Sequence, residues 1–200
     1  KPAYITEVLD QVSSVLREDA LIVSVAAGVT TETIEQHVPK GVAVVRAMPN
    51  TPALIGKGVT GISAGSRVSK EQLALVDELF SAVGKTLVIP EEQIDALSTI
   101  SGSGPAYVFF FIEEFITAAM ALGFSQEEAY LMVSETFLGA AALLVKTQAD
   151  PADLRRQVTS PNGTTMKAVA VMEEANLDEL FMKATSAALA RAKEIAQEMK

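Results

Sequence analysis

At 200 residues with 49% hydrophobic side chains, the chain can bury a sizeable core as one large domain or two small ones. Its formal net charge of −9 argues against nucleic acid and anionic membranes as partners, because both demand basic patches. With no cysteine and a single histidine, His37, it has no disulfides, thiolate metal site or His-rich metal centre, a composition that suits a reducing cytoplasm.

Lys1-Pro2 opens the chain abruptly, and nothing after it reads as a secretory signal. Residues 3–16 form an amphipathic pattern, with Ile5, Val8, Leu9, Val12, Val15 and Leu16 on one side of a helix. Residues 21–25 are a short apolar strand of the kind buried in a parallel sheet. Ala26-Ala27-Gly28 is a small-residue loop, and Thr30 or Thr31 caps a helix through about His37. A second strand at 42–47 completes a βαβ unit.

Met48-Pro49-Asn50-Thr51-Pro52 follows that strand. Its two prolines forbid a helix and hold Asn50 in a rigid turn. Ligands of open α/β sheets bind at such strand ends, though Pro-Asn turns also serve as plain connections. Residues 58–64 read as a strand near the sheet edge. Ser69 caps a helix over 70–83 with Leu73, Val76, Leu79, Phe80 and Val83 inward, and 86–89 is a last strand. Pro90 ends the α/β part, which predicts domains at 1–90 and 91–200.

Every later segment reads as helix. Residues 91–100 form one, Ser101-Gly102-Ser103-Gly104 is a flexible turn, and Pro105 starts the next at its first position. The Ser-Gly repeat lacks the full phosphate-loop pattern and follows no strand. Residues 106–122 are apolar almost all round, as in a helix buried on several sides. Ser125-Gln126-Glu127-Glu128 is a capping box opening a helix to about Lys146. Its small residues Gly139 to Ala142 would let another helix approach closely, and so apolar a run marks an interface. The runs 107–112 and 137–145 are each too short to span a bilayer. The last helix, 177–198, has the stripe Leu180, Phe181, Ala184, Ala188, Ala192, Ile195 and Met199.

The stretch 151–173 reads as helix, tight loop, helix. Asp150 is an N-cap, Pro151 sits at the first helical position, and Leu154 and Val158 share a face. Ser160-Pro161-Asn162-Gly163 breaks the helix with turn chemistry, and Gly163-Thr164-Thr165 opens the next. Such a helix start presents backbone N–H groups and a positive dipole end, suited to a carboxylate or phosphate. The plainer reading is that Thr164 or Thr165 only caps the helix.

This stretch resembles the signature of the pyrroline-5-carboxylate reductases. The matching positions are Pro151, Leu154, Val158, Thr159, Ser160, Pro161, Gly163, Thr165, Ala168, Val169 and Glu173. Lys1-Pro2, Val25-Ala26-Ala27, Met48 to Pro52 and Ser101 to Pro105 are also similar to the family, so the likeness covers essentially the whole chain. The resemblance implies α/β followed by all-α: a partial Rossmann domain of parallel βαβ type plus a helical dimerisation domain. It implies reduction of 1-pyrroline-5-carboxylate to L-proline with NADPH or NADH, in a cytoplasmic homodimer that can assemble further, for example into a decamer. The implied cofactor contacts are Lys1, Pro2, Val25, Ala26, Ala27 and Asn50. The implied substrate contacts are Gln148, Ser160, Asn162, Gly163, Thr164 and Thr165, with Thr165 catalytic.

The family's opening Gly-x-Gly-x-x-Gly turn is absent from this sequence, which predicts weak NADPH binding by the 200 residues alone. Gln148 stands where the family often has Glu, and Asn162 replaces a common Gly but tolerates left-handed geometry. Two alternatives stay open. The chain could be a cofactor-deficient module that only dimerises, or a different Rossmann-plus-helical enzyme such as a 3-hydroxyacid dehydrogenase. Neither Lys146 nor Lys167 sits in that second family's pattern for a base.

Overall fold

In the computed structural model, which describes Pro2–Glu198, the chain divides into two compact units. One takes the chain through Pro105 and returns with the stretch from Ala184, and the other is Ala106–Lys183.

The first unit is built on four strands, β1 (Leu21–Ser24), β2 (Ala43–Met48), β3 (Gly58–Ala64) and β4 (Gly84–Val88), side by side in chain order. β1 and β2 run parallel with Leu21 opposite Ala43, as the βαβ reading requires, and β3 and β4 are also parallel. β2 and β3 are antiparallel, with Val45 opposite Ala64. β3, expected near the sheet edge, lies one strand in from it, between β2 and the edge strand β4. Its two neighbours occupy both hydrogen-bonding sides, and Ile62 and Thr60 are fully buried.

Alternation along the central strand splits the core in two, because successive side chains point to opposite faces. Val42 and Val44 pack with Leu9, Val29, Ile34 and Val38. Leu9 comes from α1 (Ile5–Val12), which carries a 3-10 turn at each end, so the stretch read as one helix is a short α-helix with tightened ends. Ile34 comes from α2 (Thr31–Gln36), whose N-cap Thr30 accepts from the Thr33 N–H. On the other side Val45 and Ile62 meet Val76 of α3 (Lys70–Ser81), which opens on a reciprocal Ser69–Gln72 capping box. Leu79, expected inward, is exposed.

Two loops differ from their sequence reading. Thr51–Ile55 is a 3-10 helix despite its prolines, because Pro52 lies in the first turn, where its fixed φ and missing N–H do no harm. Residues 91–100, expected as one helix, are helical but change pitch along their length: a 3-10 turn (Glu91–Gln93), α4 (Ile94–Leu97) and a wide π-type turn (Ser98–Gly102) follow one another directly. In the Ser-Gly-Ser-Gly stretch the Ser103 N–H reaches back five residues to the Ser98 carbonyl at 2.8 Å.

The helical unit contains most of α5 (Gly104–Ala121), α6 (Gln126–Thr147), α7 (Pro151–Gln157), α8 (Thr164–Glu174) and the first part of α9 (Leu177–Glu198). Phe115 meets Phe137 edge-on at 6.5 Å, tying α5 to α6, and Phe111 stacks on Phe181 at 5.8 Å, tying α5 to α9. Within a single chain this unit buries little: Ala119, Ala129 and Val133 are its buried apolar residues, while Phe109 is 64% and Leu122 81% exposed. The apolar helix at 106–122 is therefore not covered on several sides by its own chain. Leu180 and Phe181 of the α9 stripe are exposed too, and Met199 lies outside the described residues.

Helix formation also joins the short apolar runs into longer elements. The stretches Glu91–Ala121 and Gln126–Thr147 are long and apolar enough to cross a membrane by length and composition, which the isolated runs were not.

Candidate functional site

Residues named for the cofactor all fall in the first unit, and those named for the substrate all fall in the second. On the nucleotide side, Pro2, Val25, Ala26 and Ala27 line one open apolar hollow of about 550 Å³, together with Ile5 and Leu9. Lys1 lies outside the described residues. β1 ends at Ser24, whose Oγ accepts from the Ala26 N–H at 3.3 Å, and Gly28 then turns the chain with φ +75°. Only methyl side chains stand at 26 and 27, so a flat ring can approach the backbone there.

Asn50 follows β2 in extended conformation. Its Oδ1 accepts from the Val59 N–H at 2.8 Å and its Nδ2 donates to the Ser101 carbonyl at 2.9 Å. A second cavity, of about 320 Å³, lies at the same strand ends and is lined by Ala27, Met48, Ser98 and Ser103, with Arg46 and Asp95 at its wall.

On the substrate side, α6 ends at Thr147 and Gln148 takes left-handed geometry with φ 53°, its N–H held by the Leu144 carbonyl at 2.9 Å. Asp150 caps α7, accepting from Ala152 N–H at 2.7 Å, as the sequence predicts. In the turn that follows, Asn162 takes the left-handed residue (φ 62°), the geometry expected of Asn in place of Gly. Gly163 is the N-cap of α8 and has no capping side chain. A Cβ at Gly163 would stand 2.5 Å from Ser160 Oγ and 3.1 Å from the Ser160 carbonyl oxygen, so a larger residue would have to turn the serine hydroxyl aside.

The Gly163 N–H is already engaged, donating to the Ser160 carbonyl at 3.0 Å. The N–H groups of Thr164, Thr165 and Met166 receive no acceptor from the described chain, and neither does the half-buried Thr165 hydroxyl. Thr164 and Thr165 therefore do not cap their own helix. The turn brings Ser160, Asn162, Gly163, Thr164 and Thr165 together around an open positive helix end.

Sequence reasoning missed a buried ion cluster. Arg46 lies in the middle of β2 with its side chain 4% exposed; its Nη2 donates to Asp95 at 2.6 Å, and Nη1 is 3.7 Å from Glu91. Its Nε is buried with no acceptor. The available signal was an arginine inside an otherwise apolar strand; its partners lie 45 and 49 residues further on. His37 is structural here, donating from Nδ1 to the Thr33 carbonyl at 2.8 Å. No group of three or more His, Cys, Asp or Glu able to hold a metal occurs among the described residues.

Comparison with known proteins follows the same lines. The sequence model of pyrroline-5-carboxylate reductase dimerisation matches residues 91–195. A pyrroline-5-carboxylate reductase of Pseudomonas aeruginosa is 40% identical over 200 residues, covering 100% of this chain and 73% of that protein. The solved structure of a pyrroline-5-carboxylate reductase from Coxiella burnetii superposes with TM-score 0.92 at 43% identity, over 97% of this chain and 73% of that one. The Plasmodium falciparum pyrroline carboxylate reductase, solved with NADP bound, gives TM-score 0.89 at 29% identity, over 98% and 78%. The match runs through both the sheet unit and the helical unit, and the chain belongs to the pyrroline-5-carboxylate reductase family.

Proposed function

We propose that this chain reduces 1-pyrroline-5-carboxylate to L-proline with NAD(P)H, the last step of proline biosynthesis. The observation that carries the reading is the open N-terminus of α8, with the unengaged Thr165 hydroxyl beside it, in a chain of this family. Bound NAD(P)H supplies a hydride to the imine carbon, and the nitrogen takes a proton.

The substrate carboxylate is held by the N–H groups of Thr164, Thr165 and Met166 and by the helix dipole. This local field matters because the chain's net charge of −9 opposes any anion at long range. Ser160, Asn162 and Gly163 shape the turn, and Gln148 stands at its lip. The Thr165 hydroxyl, which can donate and accept, bonds the imine nitrogen, orients it and relays a proton from water. Val25, Ala26 and Ala27 seat the nicotinamide ring, Pro2 meets the cofactor beside it, and Asn50 belongs to the same side. Catalysis is then mainly proximity and polarisation.

The exposed apolar faces of α5 and α6 make a homodimer through the helical region, able to assemble further into a decamer. A dimerisation family spans these helices, which favours burial against a second copy over burial in lipid. We assign the protein to the cytoplasm, with no nucleic acid or membrane partner. The functional boundary falls at Pro90, between a nucleotide part and a dimerising, substrate-binding part.

The test is imine reduction by the purified enzyme with NADPH and with NADH, and the reverse dehydrogenation of L-proline. Turnover of the imine with either nucleotide supports the reading. Oxidation of 3-hydroxy acids without imine turnover would reject it.

A further inference from the structure

The geometry points to Asn50 as a positioning residue for this reaction, one that fixes the walls of the strand-end cavity instead of touching a ligand through its side chain. The inference rests on the proposed imine reduction. One side-chain amide ties three separate segments: the end of β2, the start of β3 through the Val59 N–H, and the wide Ser98–Gly102 turn through the Ser101 carbonyl. Met48 precedes Asn50 by two residues, and Ser98 and Ser103 flank Ser101. Those three residues and Ala27 line the same cavity of about 320 Å³. The latch therefore spans two of its walls.

Each end of the amide holds one bond inside the chain, which fixes its orientation and ties it to both partners. The π-type turn it holds is of a kind that collects at functional sites. Losing the latch frees the Met48–Pro52 loop and the serine turn to drift apart. A small displacement of that sort lowers turnover more than it lowers binding.

Two variants of the purified enzyme test this. Asn50→Ala removes both bonds. Asn50→Asp keeps an acceptor for the Val59 N–H but sets a carboxylate oxygen against the Ser101 carbonyl, so it removes the cross-cavity bond. Both should lower kcat about tenfold or more, while KM for the imine and for NAD(P)H stays within about threefold. Hydrogen exchange across residues 98–103 should quicken in both.

Wild-type kcat in Asn50→Asp overturns the inference, as does a lowered melting temperature with unchanged kcat and unchanged exchange. A large rise in KM for NAD(P)H with kcat retained also overturns it and makes Asn50 a ligand contact. If the wild type reduces no imine, the proposed reaction itself fails. Exchange at 98–103 still decides the latch in that case, since unchanged exchange rejects it.

Discussion

Glu91 closes over the backbone of Thr31, sixty residues away in the chain. Its Oε1 accepts from the Thr31 N–H at 2.7 Å and its Oε2 from the Thr31 hydroxyl at 2.6 Å. Thr31 is the first residue of α2 and is 5% exposed, while the Glu91 side chain that covers it is 24% exposed. A helix begins with N–H groups that its own ladder cannot satisfy, and a buried one must be answered from elsewhere. Glu91→Ala should therefore cost about 2–3 kcal/mol, since it strands a buried donor and removes charge-assisted bonds. Urea unfolding measures it. A loss below about 0.5 kcal/mol, the scale of ordinary surface changes, would show that water substitutes for the carboxylate.

Arg46 and its two carboxylates should respond asymmetrically to mutation. Arg46→Met leaves Asp95 and Glu91 without their common counter-charge in a largely desolvated place and should cost about 3–5 kcal/mol. Asp95→Asn on the Arg46→Met background should recover part of that loss, because it removes one of the stranded charges. Additive destabilisation in the double variant, read from denaturant midpoints, would show that the pair is not coupled.

The Ser125–Glu128 capping box carries a pH signature. Glu128 Oε2 accepts from the Ser125 hydroxyl at 2.7 Å and from the Ser125 N–H at 2.9 Å. The hydroxyl bond first, and the backbone bond second, hold the Glu128 carboxyl below its usual range. A depressed carboxylate pKa contributes stability that is present above the unfolded-state value and lost as pH falls through the folded one. Melting temperature measured downward from pH 6 should fall less steeply in Glu128→Gln, which keeps the box without a titrating group. Identical slopes in the two proteins would remove Glu128 from the account.

These features differ in how far the sequence revealed them. The Ser125–Glu128 capping box and the Ser69 cap were legible because the cap residue and its partner lie three residues apart, though the reciprocal Gln72 bond was not read; Asn162 was legible because few residues accept φ > 0. The antiparallel placement of β3 was not, since a strand's alternation reports which faces are covered and says nothing of its neighbours' direction. The ion cluster of Arg46 was hidden for a related reason: its partners are 45 and 49 residues downstream, and no local pattern links them. The apolar character of α5 and α6 announced a need for cover, but not that the cover is missing from their own chain.

That missing cover predicts assembly. Gly139 to Ala142 lie on α6, Ala141 is exposed, and a Cβ at Gly139 would meet nothing within 4 Å in its own chain. A second copy can approach such a surface closely, and obligate interfaces of this kind bury roughly 2,000 Å² or more. Ala141→Arg should set a desolvated charge in that contact and shift the enzyme toward monomer. Sedimentation of the wild type as a stable monomer at low micromolar concentration would rule the interface out.

Thr165 offers the sharpest separation between chemistry and stability. Its hydroxyl takes no partner in the described chain, and Gly163, not a threonine, occupies the N-cap of α8. Thr165→Ala therefore removes no internal hydrogen bond, and its effect on the melting temperature should be small. It also keeps the backbone N–H groups, so binding of the substrate carboxylate should largely persist in KM. What it removes is the group that meets the imine nitrogen, and loss of one preorganised donor lowers turnover on the order of 10²-fold. Thr165→Ser keeps the oxygen and should retain most activity. Steady-state kinetics and melting curves on the same two variants decide the matter: an alanine variant with near-normal kcat takes Thr165 out of the mechanism, and one that instead loses about 1 kcal/mol of stability returns it to a capping role.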